Sequence, residues 1–281
     1  MVEIYYPPME VIVAKDFCLD DVLAPFDTYI YSEFYRRPTG FFQFGDHFAS
    51  GPARSLFLFH GHSDKFRDLH WIEQLAGEDI VLVYGPQFYE WMCATGIVRR
   101  IRHHIFCGNY RLEFYKQNRE FFKRELKGKK RVLYAPTWSS PVKSSGRSRH
   151  YSNVVEVYEG VKEALCDYDL YIKLHPYFEK LMPQEAQRIK GDQLGPVIYS
   201  ILEETDIFLG DYSSIAYDFL YFERPICLFG WDKPWATQVS VENLREKIER
   251  PPCPGQKEAY THAYGEKKSL ETLRKEILDA Y

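Results

Sequence analysis

Short apolar runs that end in polar turns and then give way to helical spacing recur along the second half of this chain, and they leave few folds open. Arg131 to Ala135, Leu170 to Leu174, Val197 to Tyr199, Ile207 to Leu209 and Ile226 to Phe229 are such runs. Each is short, apolar and bounded by turn residues, as buried strands are. Between them, Val154 to Leu165 places Val154, Val157, Val161 and Leu165 on one helical face, and a second helical segment runs from about Lys180 to Lys190. This alternation predicts a parallel sheet with helices on both faces. An amphipathic helix over Leu270 to Leu278 closes the chain.

The first half repeats the theme with weaker periodicity. Val11 to Val13, Thr28 to Tyr31, Leu56 to Phe59, Ile80 to Tyr84 and His104 to Cys107 read as strands, Gln87 to Ala94 and Leu112 to Leu126 as helices. The basic stretch Lys127 to Arg131 is the best linker. The expected fold is therefore α/β, with two Rossmann-like lobes, residues 1–129 and 130–281, whose parallel sheets face a cleft. With 281 residues, 45% of them hydrophobic, the chain can bury the cores that two lobes need.

Charge excludes one class of partner. The 36 basic and 40 acidic side chains sum to -4, whereas a nucleic-acid partner calls for a net basic domain. Six cysteines without a Cys-x-x-Cys pair are expected to be free thiols, mostly buried, in a reducing compartment. No signal peptide and no run near the roughly 20 apolar residues of a membrane span is visible. The expected location is the cytoplasm, with peripheral contact at the inner face of the plasma membrane left open. The aromatic run Tyr31 to Phe44 reads either as such a contact or as core plus loop.

One turn points to chemistry. Asp211-Tyr212-Ser213-Ser214 joins the strand Ile207 to Gly210 to a helix beginning near Ile215. The first N–H groups of a helix lack internal partners and lie at its positive end, so hydroxyls beside them make a pocket suited to phosphate. Helix capping by Asp211 or Ser213 is the plainer alternative. Three further loops follow strands, where ligands bind in parallel sheets. His60-Gly61-His62 offers an imidazole able to take a proton from an alcohol near neutral pH, although such a pair also occurs inertly at turns. Thr137 and Trp138 offer a hydroxyl for phosphate and a ring for a base. Lys173 and His175 point to one side of a strand end while Leu174 faces the core. Ser139 to His150, rich in Ser and Arg, is either disordered or a basic flap over an anion. Asp167-Tyr168-Asp169 matches a metal-binding Asp-x-Asp but falls at the wrong end of its strand.

Taken in order, these loops resemble the CDP-glycerol glycerophosphotransferase family, the teichoic-acid primases and polymerases of bacterial envelopes. Tyr134-Ala135-Pro136-Thr137-Trp138, Lys173-Leu174-His175-Pro176 and Asp211 to Ser214 with Asp218 and Pro225 match its motifs. Phe59-His60-Gly61-His62 with Lys65 and Gly108 to Glu113 match two others in part, with Phe59 for Trp, His62 for Thr and Tyr110 for Pro. The resemblance covers about residues 56 to 230. It implies a GT-B fold, with the N-terminal lobe presenting the acceptor and the C-terminal lobe binding the nucleotide donor. By it, His60 is the general base and His175 lines the donor diphosphate. Arg111, Thr137, Trp138, Lys173, Asp211, Ser213, Ser214 and Asp218 surround the donor.

The activity so implied moves glycerol phosphate, or a similar polyol phosphate, from a CDP-linked donor to a hydroxyl acceptor, free or lipid-linked. No metal or other cofactor is expected, because no carboxylate cluster presents itself. Two alternatives stay open: a GT-B transferase using a nucleotide sugar for capsule or lipopolysaccharide synthesis, and a degenerate member that binds a nucleotide or polymer without turnover.

Overall fold

The computed structural model describes residues 28–32, 54–64, 72–128, 130–137, 152–192, 194 and 197–280. The expected strand at Val11 to Val13, the Ser139 to His150 loop, Trp138, Lys65 and most of the Tyr31 to Phe44 run lie outside them. Two parallel sheets organise the chain. The first contains β1 (Thr28–Tyr31), β2 (Arg54–Leu58), β3 (Ile80–Val83) and β4 (His103–Phe106) in sequential order. The second contains β5 (Arg131–Tyr134), β6 (Asp169–Ile172), β7 (Ile207–Gly210), β8 (Ile226–Phe229) and β9 (Thr237–Val239), ordered β6-β5-β7-β8-β9. Every residue of β3 and β8 is buried, which is why these strands read as unbroken apolar runs rather than as alternation.

Eleven α-helices are described: α1 (Pro86–Ala94), α2 (Tyr110–Gln117), α3 (Arg119–Phe122), α4 (Val154–Ala164), α5 (Pro176–Leu181), α6 (Pro183–Ile189), α7 (Ile198–Leu202), α8 (Ser214–Phe219), α9 (Val241–Lys247), α10 (Gln256–Tyr264) and α11 (Leu270–Asp279). Three differ from expectation. The run Val197 to Tyr199 opens α7 instead of forming a strand; Tyr199, Ile201 and Leu202 are all buried there, and a short apolar run has no period that separates the two states. The helix expected over Leu112 to Leu126 breaks at Asn118, whose Nδ2 donates to the Phe114 carbonyl at 2.9 Å, a competition typical of asparagine. The segment near Lys180 to Lys190 is two helices, because Pro183 cannot continue the first and begins the second. Strand β9 and helices α9 and α10 carried too little periodicity to be predicted.

The lobes share one apolar interior. Phe57, Phe59, Val81 and Tyr84 of the first belong to the same buried cluster as Phe208, Ala216, Tyr217, Trp231 and Trp235 of the second. A separate cluster, with Val132, Tyr134, Val161, Leu209 and Cys227, lies under the opposite face of the second sheet. Helix α10 returns to pack on α1. At that crossing a Cβ on Gly85 would lie 2.5 Å from the Gly265 nitrogen, so only glycine lets the two backbones meet.

The cysteines depart in part from expectation. Cys107 and Cys227 are buried free thiols, and burial pushes both up to about 12. Cys93 and Cys166 are exposed. Among the described residues, no helix is long and apolar enough to cross a membrane.

Candidate active site between the lobes

Strands β6, β5 and β7 are neighbours, with Tyr134 paired to Ile172 on one side and Leu209 on the other. Their following loops therefore leave one edge of the sheet together, carrying Thr137, then Lys173 and His175, then Asp211, Ser213 and Ser214. The Thr137 N–H donates to Asp211 Oδ1 at 2.8 Å, and the Ser213 N–H to the Asp211 carbonyl at 2.6 Å. Asp211 is 2% exposed, so it builds the turn from within. Ser213 Oγ accepts the Ile215 N–H at 3.3 Å and caps α8, while Ser214 is half-buried at the first helical position. The capping role weighed for Ser213 is thus real, and it orients the turn rather than filling it.

Lys173 and His175 are half-buried and Leu174 is buried, the alternation expected. Burial, together with the nearby Arg124 charge, holds the Lys173 ammonium below its usual range. A bound anion would offset both effects. His175 Nδ1 accepts the Tyr177 N–H at 3.1 Å at the start of α5, so the neutral ring carries its proton on Nε2.

From the first lobe, β2 delivers His60 to the same gap. The carbonyl before it, that of Phe59, accepts hydrogen bonds from the hydroxyls of Tyr84 (2.6 Å) and Tyr110 (3.2 Å), which fixes where the loop begins. His60 is exposed. Its neighbour Gly61 touches the other lobe: a Cβ there would fall 2.9 Å from Ser214 Oγ and 3.0 Å from Ser214 Cβ. A side chain at this position would crowd Ser214, and the glycine brings the histidine loop directly against the serine turn.

One expected ligand contact, that of Asp218, is corrected. Asp218 is fully buried; its carboxylate accepts Arg111 Nη2 at 2.8 and 3.0 Å, the Tyr199 hydroxyl at 2.7 Å and the Tyr264 hydroxyl at 2.5 Å. Burial and the Asp218 charge push both tyrosines well above their usual range, so they remain donors. Asp218 and Arg111 thus join the lobes by an internal ion pair, and Asp218 has no surface to offer a donor. A motif aspartate one helical turn after the serines carries no sequence mark distinguishing ligand contact from ion pair.

His62 adopts the inert reading. It is wholly buried, Nε2 lies 2.6 Å from Gln87 Oε1, and the ring stacks on Trp91 at 5.5 Å and meets Tyr217 edge-on at 4.6 Å. Asp64, two residues on, was not singled out by the sequence; it accepts from Lys233 and, at 2.5 Å, from the Tyr217 hydroxyl. Nothing local in the sequence pairs Asp64 with Lys233 across 169 positions. Asp167 lies at the far end of β6 in an ion pair with Arg245. Among the described residues, no group of three or more His, Cys, Asp or Glu side chains is placed to hold a metal ion.

With this geometry in hand, comparison with known proteins places the chain. The profile of the CDP-glycerol:poly(glycerophosphate) glycerophosphotransferase family matches residues 118–238. Through that stretch, a little under half of the chain, the sequence is similar to this family. The family is one of transferases, and its matched segment contains the whole serine-turn edge described above. No curated protein matches the sequence.

Solved structures agree on the fold. A variant of the wall teichoic acid polymerase TagF soaked with CDPG is similar with a TM-score of 0.54 at 11% identity, over 90% of this chain and 71% of that one. UDP-GlcNAc 2-epimerase from Neisseria meningitidis, bound to UDP-GlcNAc, gives 0.59 at 12%, over 99% and 87%. MnaA from S. aureus with UDP gives 0.55 at 13%, over 94% and 80%. At these identities the likeness is one of architecture, the two-lobed GT-B arrangement.

Proposed function

We propose that this protein transfers a polyol phosphate, glycerol phosphate in the first instance, from a CDP-linked donor to a hydroxyl acceptor during synthesis of a cell-envelope polymer. The observation that carries the reading is the contact of Gly61 with Ser214, which brings the loop of His60 against a hydroxyl-lined helix start. The family match over residues 118–238 supports the donor class. Trp138 and Arg111 complete the donor surroundings that the family resemblance implies, with Arg111 acting from its ion pair with Asp218.

In this reading the donor diphosphate lies against Ser213, Ser214, Lys173 and His175. His60 removes the proton of the acceptor hydroxyl, and that oxygen attacks the phosphorus bearing the glycerol. The bond to the bridging oxygen breaks and CMP leaves. Charge accumulating on the phosphate oxygens is offset by N–H and O–H donors already in place, so little reorganisation accompanies the step. Proton removal by a positioned base is typically worth about 10² to 10⁴ in rate.

His60→Ala tests this directly. CMP release from CDP-glycerol with an acceptor should fall by roughly 10² or more, while calorimetric binding of CMP persists. Lost binding with unchanged turnover at saturation would refute the role of His60. Likeness to proteins holding UDP and UDP-GlcNAc favours a second reading, a nucleotide-sugar donor. A panel of CDP-glycerol, CDP-ribitol, UDP-sugars and CMP-sugars, scored by the nucleotide released, separates the two. The acceptor, lipid-linked or free, and any peripheral membrane contact are read from the same assay with and without vesicles.

A further inference from the structure

The loop that carries His60 is held at two points, and the second anchor belongs to the opposite lobe. At its start, the Phe59 carbonyl is held by Tyr84 and Tyr110. Four residues after His60, the Asp64 carboxylate is bound by the Lys233 ammonium and the Tyr217 hydroxyl. The Asp64 and Lys233 side chains are only 11% and 16% exposed, so water screens their attraction poorly. Tyr217 lies on α8, three residues beyond Ser214. Lys233 follows β8 and sits 4.9 Å over the Trp231 ring, which in turn stacks on Tyr212 of the serine turn at 5.0 Å.

These contacts close a ring. It runs from Ser214 to Gly61, along the loop to Asp64, across to Lys233, and through Trp231 and Tyr212 back to the turn. We infer that Asp64, Lys233 and Tyr217 are positioning residues, a clasp that sets the distance between His60 and the Ser213-Ser214 turn and so aligns proton removal with attack. The inference rests on the transferase reading for its catalytic consequence, but the clasp itself is a statement about lobe separation. Lys233 lies outside the motifs that carry the family resemblance, and Asp64 is not one of their matched residues.

The experiment uses the full chain with Cys18 and Cys253 replaced by serine, leaving the exposed Cys93 of the first lobe and Cys166 of the second for spin labels. Lys233→Met should broaden and lengthen the Cys93–Cys166 distance distribution. In the unlabelled variant, turnover at saturating donor should drop by about tenfold or more while CMP affinity stays within about twofold. Lys233→Arg, which keeps the charge, should restore both. Asp64→Asn preserves shape and should reproduce the Lys233→Met result, guarding against a folding defect in either variant. Unchanged distances and unchanged turnover in Lys233→Met and Asp64→Asn would overturn the clasp, and so would a loss of CMP affinity equal to the loss of turnover. If distances widen but the parent protein releases no nucleotide from any donor in the panel, the clasp stands and the transferase reading falls.

Discussion

At neutral pH the His62 ring is uncharged, because burial among aromatic rings pushes its pKa down to about 4 from 6.5. The unfolded chain takes up this proton near pH 6.5, whereas the folded chain resists it until about pH 4. Stability is therefore intact above that window and falls as pH drops through it, by about 3 kcal/mol once pH 4 is reached. Carboxylates titrate in the same range, so the effect is isolated by difference. His62→Gln should flatten the decline of melting temperature between pH 6.5 and 4 relative to the parent. Parallel curves for the two proteins would show that His62 does not bear this load. The ring fills the place where the family motif has a smaller threonine, and Trp91, Tyr84 and Tyr217 close around it.

At the scale of single elements, caps decide where the site residues fall. Asn109 Oδ1 accepts the Leu112 N–H at 3.2 Å at the start of α2 and lies 2.8 Å from the Tyr199 hydroxyl oxygen. It thereby anchors the helix that projects Arg111 to the second lobe. Asn109→Ala should cost about 1 kcal/mol in urea unfolding, and Asn109→Ser should recover most of it, since serine caps nearly as well. Equal stability of all three would mean that α2 starts without help from its cap. Helix boundaries were the part of the secondary structure least readable in advance. The break at Asn118 and the division at Pro183 depend on single residues within otherwise helical spacing, and α7 on an apolar run too short to show a period.

For the molecule as a whole, the Arg111–Asp218 pair is a buried polar tie through a shared apolar interior. Arg111→Ala would leave the Asp218 carboxylate buried with only hydroxyl donors, and losing one partner of such a pair typically costs about 3–5 kcal/mol. Adding Asp218→Asn removes the stranded charge, so the double variant should be more stable than the sum of the two single losses implies. Chemical unfolding of the four proteins checks this cycle, and strict additivity would show that the two side chains are not coupled. The same pair restrains the lobes beside the Asp64–Lys233 clasp. Neither bridge is local: one joins residues 107 positions apart and the other residues 169 apart.

The alternation of apolar runs with helical spacing was enough to specify parallel α/β lobes, because period and run length are properties of neighbouring residues. The serine turn, the histidine loop and the Lys173–His175 strand end were equally legible, since each is a few residues at the end of a strand. Which groups face one another across the gap was decided only by the packing of the lobes. That packing drew Asp218 into an ion pair with Arg111, enclosed His62 in aromatic rings and joined Asp64 to Lys233. Burial and pairing of charges depend on contacts between segments distant in the chain, and no local pattern of residue types encodes which distant partner will arrive.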